Sequence, residues 1–177
     1  MNFRIVQTSP MRTASTLLTN VLYGLFTPDL PVCYCHYLLL PKKQSLVYNM
    51  IQENLIIKTH IPHTELTKLF SEYVTYYVSS CRSAKGCMIP QDDNPYLVTV
   101  DYDLLTGSAE TVVNNVFNLL LMKFPSELIS SANKSSAIKR IVDMNERYEQ
   151  IKDLPFKYYD PFYKIHGHHC NRDDILS

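Results

Sequence analysis

The segment that decides the fold reads Phe3-Arg4-Ile5-Val6-Gln7-Thr8-Ser9-Pro10-Met11-Arg12-Thr13-Ala14-Ser15-Thr16-Leu17-Leu18 and continues as Thr19-Asn20-Val21-Leu22-Tyr23-Gly24-Leu25-Phe26. Its first six residues are short, apolar and β-branched, which is strand composition. Ser9-Pro10 interrupts them, and the run from Ser15 to Phe26 is compatible with a helix. The segment reads strand, loop, helix.

The same alternation continues downstream. Pro28 to Pro31 breaks the chain, and Val32 to Leu40 (VCYCHYLLL) is a second apolar run that periodicity assigns to neither strand nor helix. Ser45 to Glu53 has helical spacing at Leu46 and Met50 and leads into Asn54-Leu55-Ile56-Ile57, a short strand of buried type. A capped helix begins near Thr64. Tyr73 to Ser79 is strand-like by its β-branched and aromatic content, and a polar loop from Ser80 to Asn94 separates it from the next strand, Tyr96 to Val100. Ser108 starts a helix carrying Val112, Val113, Val116, Phe117, Leu120 and Leu121 on one face. From about Ser130 to Lys152, Ile138, Ile141, Val142, Tyr148 and Ile151 recur at helical spacing between charges. Strands alternating with helices predict an α/β domain with a mostly parallel central sheet, whose sites lie at the carboxyl ends of the strands.

At 177 residues there is room for one domain. Its core is expected over about residues 3–152, with 153–177 a tail of irregular structure packed upon it. An apolar fraction of 46% with 11% aromatics is enough for a full core and excludes wholesale disorder. Lys plus Arg and Asp plus Glu both number 17, so formal net charge is zero. That balance argues against a nucleic-acid or acidic-membrane partner and makes any anion site local. No apolar stretch reaches transmembrane length, and the start MNFRIVQTSP lacks a signal-peptide core, so the expectation is a soluble, cytoplasmic protein. Cys33, Cys35, Cys81, Cys87 and Cys170 form no CxxC pair and read as reduced, buried thiols. Tyr73, Tyr76 and Tyr77 read as sheet and core residues; Asp92-Asp93 and Asp173-Asp174 lack metal-loop spacing and read as solvated loops.

Two segments fall where chemistry is expected. The loop Ser9 to Leu18 joins strand to helix with small hydroxylated residues at the helix start. Free backbone N–H groups and the helix dipole attract anions there, and Arg12 adds a guanidinium of bidentate geometry. It is not a Walker A loop, since GxxxxGK[ST] is absent. Lys58-Thr59-His60 ends a buried strand with Lys and His two residues apart, so both side chains point the same way. A histidine so placed takes a proton from a hydroxyl nucleophile, and a lysine stabilises charge on a transferred group. Alone, either segment reads equally as an ordinary N-cap with a solvated arginine, or as a satisfied surface pair.

Together they resemble the sulfotransferases that use 3′-phosphoadenosine-5′-phosphosulfate (PAPS). Pro10-Met11-Arg12-Thr13-Ala14-Ser15-Thr16-Leu17-Leu18 is similar to that family's 5′-phosphosulfate loop, and Ile57-Lys58-Thr59-His60-Ile61-Pro62 to its Lys-Thr-His-[Leu/Ile/Val]-Pro segment. Val98-Thr99-Val100-Asp101-Tyr102-Asp103-Leu104-Leu105 resembles its strand and Tyr-Glu-[Asp/Asn]-Leu turn. Order and spacing agree over roughly residues 3 to 122. The resemblance implies a P-loop-like three-layer α/β/α domain. It implies that Arg12, Thr13, Ala14, Ser15, Thr16 and Leu17 hold the 5′-phosphosulfate, with His60 as general base and Lys58 on the sulfuryl group or the acceptor. Arg12 is implied both in binding and in catalysis. The acceptor is a hydroxyl of a carbohydrate, phenol or small molecule, PAP (3′-phosphoadenosine-5′-phosphate) is the second product, and no metal is implied.

The chain departs from the family in three places. Ala14 stands where glycine is usual, and a positive φ is costly for alanine. The 3′-phosphate arginine aligns strictly with Ser79; a small shift assigns the role to Arg82 and Ser83 instead. The C-terminal Arg-Lys-Gly segment is missing, and Lys164-Ile165-His166-Gly167-His168-His169-Cys170-Asn171-Arg172 is the substitute. Its histidines and cysteine offer zinc ligands, but spacing this close completes a tetrahedral site only with distant ligands; zinc binding, nucleotide or acceptor contacts, and a purely structural tail are its three readings. Two other functions compete. One is a catalytically silent sulfotransferase-like binding protein. The other is a divergent P-loop nucleotide kinase, disfavoured by the missing Walker lysine and Mg²⁺ carboxylate.

Overall fold

The computed structural model describes residues 4–9, 13–26, 32–36, 54–60, 63–66, 75–82, 95–130, 132–155 and 158–167. The helix expected over Ser45 to Glu53 lies outside them. Five strands, β1 (Arg4–Thr8), β2 (Val32–His36), β3 (Asn54–Thr59), β4 (Thr75–Cys81) and β5 (Leu97–Asp101), form one sheet in the order β2-β3-β1-β4-β5. Every pairing in it is parallel. Among the described residues the α-helices are α1 (Ser15–Phe26), a four-residue α2 (His63–Leu66), α3 (Ala109–Leu121), a short α4 (Ser126–Ser130) and α5 (Lys134–Ile151). The α/β class with an all-parallel central sheet flanked by helices is the architecture predicted from the alternation.

All five residues of β1 are buried, as a central parallel strand requires, because both of its faces are covered. On one face Ile5, Ile56, Tyr76, Val78, Val98 and Val100 join the core formed with Leu18, Val21, Leu22 and Leu25 of α1 and Val112, Val116 and Leu120 of α3. Side-chain alternation sends Val6, Ile57, Tyr77 and Leu97, also buried, to the opposite face. α5 packs against both α1 and α3. At the α1 crossing, a Cβ built on Gly24 would lie 2.5 Å from the Ala137 Cα, so only glycine permits this approach.

Several element boundaries differ from expectation. The 32–40 run is a strand over Val32–His36. β3 extends past Ile57 through Thr59, because Lys58 and Thr59 pair with Gln7 and Thr8. β4 begins at Thr75 and reaches Cys81, two residues beyond the expected end, because Ser80 and Cys81 pair with Val100 and Asp101. In α3, Leu121 is 51% exposed rather than on the buried face, since it lies 100° round from Leu120. Val142 of α5 is exposed for the same reason, and Ala137 and Met144 take core positions beside Ile141 and Ile151. Ser108 and Asn133 cap α3 and α5, their side chains accepting from the Thr111 and Ser136 N–H groups. The tail is not wholly irregular. Its residues β6 (Tyr159–Asp160) and β7 (Ile165–His166) pair antiparallel, and Ile165 is buried in the main core.

The connection from β1 leads to β2 on one side of the sheet, and that from β4 leads to β5 on the other. The carboxyl ends of β1 and β4 are therefore the topological switch point, where open parallel sheets bind ligands.

Candidate functional site

The site is assembled by register. Thr8 of β1 pairs with Thr59 of β3, so Ser9 and His60 leave their strands side by side. The Ser9 N–H donates to the Thr59 carbonyl at 3.3 Å, and His60 Nδ1 lies 2.6 Å from the Ser9 carbonyl oxygen. A carbonyl only accepts, so Nδ1 is the donor in this contact. Ser9 is itself clamped: its Oγ accepts from the Ser80 N–H at 2.8 Å and from the Gln7 amide. Thr19 Oγ1 in turn donates to Gln7 Oε1 at 3.0 Å. Gln7, Ser9 and Ser80 are fully buried, so this polar set is rigid where it supports the histidine.

Lys58 shares the sheet face of Ile56 and His60, as its two-residue spacing predicts. Its Nζ donates to Thr16 Oγ1 at 2.8 Å, in the first turn of α1. Lys58 is 6% exposed, and among the described residues no carboxylate meets it. Burial and the nearby charge of Lys164 lower its pKa to about 8.

The loop between β1 and α1 brings Thr13 back over the sheet edge, its Oγ1 2.9 Å from Ser80 Oγ. Ala14 adopts φ 58°, so the left-handed turn that glycine makes cheaply is made here by alanine. The Leu18 N–H then closes the first helical turn on the Ala14 carbonyl at 3.0 Å. The N–H groups of Ser15, Thr16 and Leu17 stand at the amino end of α1, ahead of any helical acceptor.

Thr13, Ala14, Ser15, Thr16, Leu17, Lys58 and His60 thus lie together where β1 and β3 run out beside the first turn of α1. Arg12 and Ser83 lie outside the described residues. Arg82 follows β4 at the same sheet edge. Its guanidinium stacks 4.0 Å from the centroid of the Tyr102 ring, and its Nε is buried with no hydrogen-bond partner among the described residues. An arginine nitrogen held dry in this way suits an anionic ligand. Among the described residues no three His, Cys, Asp or Glu side chains are grouped to hold a metal; His168, His169 and Cys170 are not among them.

Residue reasoning did not pick out the clamp of Gln7, Ser9 and Ser80. The signal was Gln7 itself, a polar residue inside an apolar central strand, which must find buried partners. Tyr102 under Arg82 was equally hidden, because it comes from a different element.

Neither a protein-family model nor a curated protein matches this chain.

Proposed function

We propose that the chain is a sulfotransferase moving the sulfuryl group of PAPS to a hydroxyl of a carbohydrate, phenol or small-molecule acceptor. The observation that carries this reading is the joining of two segments. Lys58, bonded to Thr16, and His60, held by Ser9, flank the amino end of α1 at the switch point of the sheet.

In this reading His60 Nε2 takes the acceptor's hydroxyl proton, and the Nδ1 bond to Ser9 keeps the ring oriented as it becomes cationic. Lys58 and the first-turn N–H groups of α1 neutralise charge at the transferring group. Arg82 binds a second anionic group of the donor. When bound, the donor supplies an activated sulfuryl group whose bond to the 5′-phosphate breaks as the acceptor oxygen bonds to sulfur. The protein's share is positioning and charge stabilisation, as in phosphoryl transfer.

The test is calorimetric titration with PAP, ATP and adenosine 5′-phosphosulfate, followed by turnover of the His60→Ala variant. Micromolar PAP binding that needs the 3′-phosphate is expected, with turnover in His60→Ala lower by about 10²–10⁴-fold and PAP affinity nearly unchanged. Mg²⁺-dependent preference for ATP, or no nucleotide binding, overturns the reading. Unchanged turnover in His60→Ala overturns the assignment of the base.

A further inference from the structure

The C-terminal hairpin docks on the middle of α1, at Asn20. Its turn, residues 160–164, is tightly built: Asp160 Oδ1 accepts from the Phe162 and Tyr163 N–H groups at 2.9 and 3.1 Å. The Lys164 N–H closes on the Asp160 carbonyl at 2.8 Å. Asn20 ties this turn to α1 one helical turn below Thr16, because its Nδ2 bonds both the Thr16 carbonyl, at 2.9 Å, and the Tyr163 carbonyl, at 2.8 Å. Thr16 is also the residue whose Oγ1 receives Lys58 Nζ. Arg140 secures the same junction, bonding Asn20 Oδ1 at 2.9 Å and the Phe162 carbonyl at 2.7 Å while its guanidinium lies over Tyr23, Phe162 and Tyr163.

We infer that Lys164 is a second anion-binding lysine of this site, carried in by the hairpin to contact the phosphate or sulfate oxygens that Lys58 contacts. The geometric argument is the short path from Lys58 through Thr16 and Asn20 to the residue preceding Lys164. Like charge supports it: Lys164 depresses the pKa of Lys58, so the two ammonium groups feel one another in a partly buried place. Arg140 adds a third cation acting on Lys164, and Asp160, engaged by Arg147 at 2.8 Å, is the acidic group that offsets it. Cations gathered this way along the first half of a helix are relieved by a polyvalent oxyanion. Lys164 also has φ 61°, a backbone conformation that glycine adopts without strain. The inference rests on the proposed function only for the identity of the donor.

That backbone angle supplies a variant that separates charge from folding. Lys164→Gly removes the ammonium and fits the turn, so its thermal midpoint should equal or exceed that of the parent. The probe is inorganic pyrophosphate, titrated by calorimetry into the parent protein, Lys164→Gly and Lys164→Arg. The expected result is pyrophosphate binding weakened about tenfold in Lys164→Gly, the worth of one charge-assisted contact, and largely kept in Lys164→Arg. Equal affinity of Lys164→Gly and the parent overturns the inference, as does a parent protein that binds no pyrophosphate. A parallel PAP titration separates the two readings. Lys164-dependent pyrophosphate binding with no gain from the nucleotide upholds Lys164 and defeats the sulfonucleotide donor. PAP binding indifferent to Lys164 does the reverse.

Discussion

Lys58 shows what a buried charge does to stability and function at once. Its amine titrates near 10.5 when the chain is unfolded and near 8 when folded, because burial first and Lys164 second disfavour the ammonium. Between those values the unfolded chain holds more protons, so this group makes stability rise with pH from about 8 to 10.5, and at neutral pH the buried charge costs about 3 kcal/mol. Lys58→Met should therefore raise the thermal midpoint in differential scanning calorimetry while removing anion binding. In the parent protein, pyrophosphate affinity should fall as pH rises through about 8, where the ammonium is lost; a flat profile from pH 7 to 9.5 would contradict this. Ala14 makes the complementary case. Its left-handed conformation costs about 1–2 kcal/mol relative to glycine, partly offset by the unfolded-state entropy that glycine brings. A gain in stability of up to about 1 kcal/mol is expected for Ala14→Gly, read from denaturant unfolding.

Among the elements, α1 links the core to the site. Leu18, Val21, Leu22, Leu25 and Phe26 are wholly buried, while its first turn faces the carboxyl edge of the sheet. Its position is held by α5, through the Gly24–Ala137 approach and the bond from the Asn133 N–H to the Leu25 carbonyl at 2.7 Å. Gly24→Ala puts a methyl into the Ala137 backbone, and because backbone does not yield as a side-chain tip does, a loss of about 1–3 kcal/mol is expected in denaturant unfolding. The same variant should weaken pyrophosphate binding if the helices part at this crossing, since Thr16 and Asn20 move with α1. The span of α1 was legible from its apolar periodicity and the Ser9-Pro10 break. The close crossing was not, because one glycine in a helix does not name the residue it faces.

At the scale of the molecule, the hairpin makes the site a product of both ends of the chain. Residue 16 and residue 163 meet on Asn20, and the ion pair of Arg147 with Asp160 holds the hairpin to α5. Burial raises the Asp160 pKa, but the Arg147 bond and the Tyr163 and Phe162 N–H groups outweigh it and leave a net lowering. A lowered carboxyl pKa contributes stability above the ordinary value near 3.8, lost as pH falls through the lower folded value. The protection of the Tyr163 and Lys164 amides relative to their intrinsic exchange should accordingly fall below about pH 4. In Asp160→Asn the hairpin should exchange rapidly even at pH 7, with strand amides of β1 unchanged. Protection retained in that variant would show that the carboxylate does not dock the hairpin. Among the described residues no helix is long and apolar enough to cross a membrane.

Pattern along the chain was enough to read the α/β class, the strand-loop-helix at residues 4–26 and the two-residue offset of Lys58 and His60 at the end of β3, because periodicity and two-residue alternation are local properties. Gln7 announced only that it needed a partner. Only folding in three dimensions brings Thr19 to Gln7, His60 to the Ser9 carbonyl, and the turn that carries Lys164 to Asn20. Those relations join positions 7 with 19, 9 with 60 and 20 with 163, and they arise from strand register and helix docking, which pattern along a chain does not encode. Alanine in the place of a left-handed glycine follows the same logic: the local preference opposes the conformation, and the Thr13–Ser80 bond with the first turn of α1 imposes it.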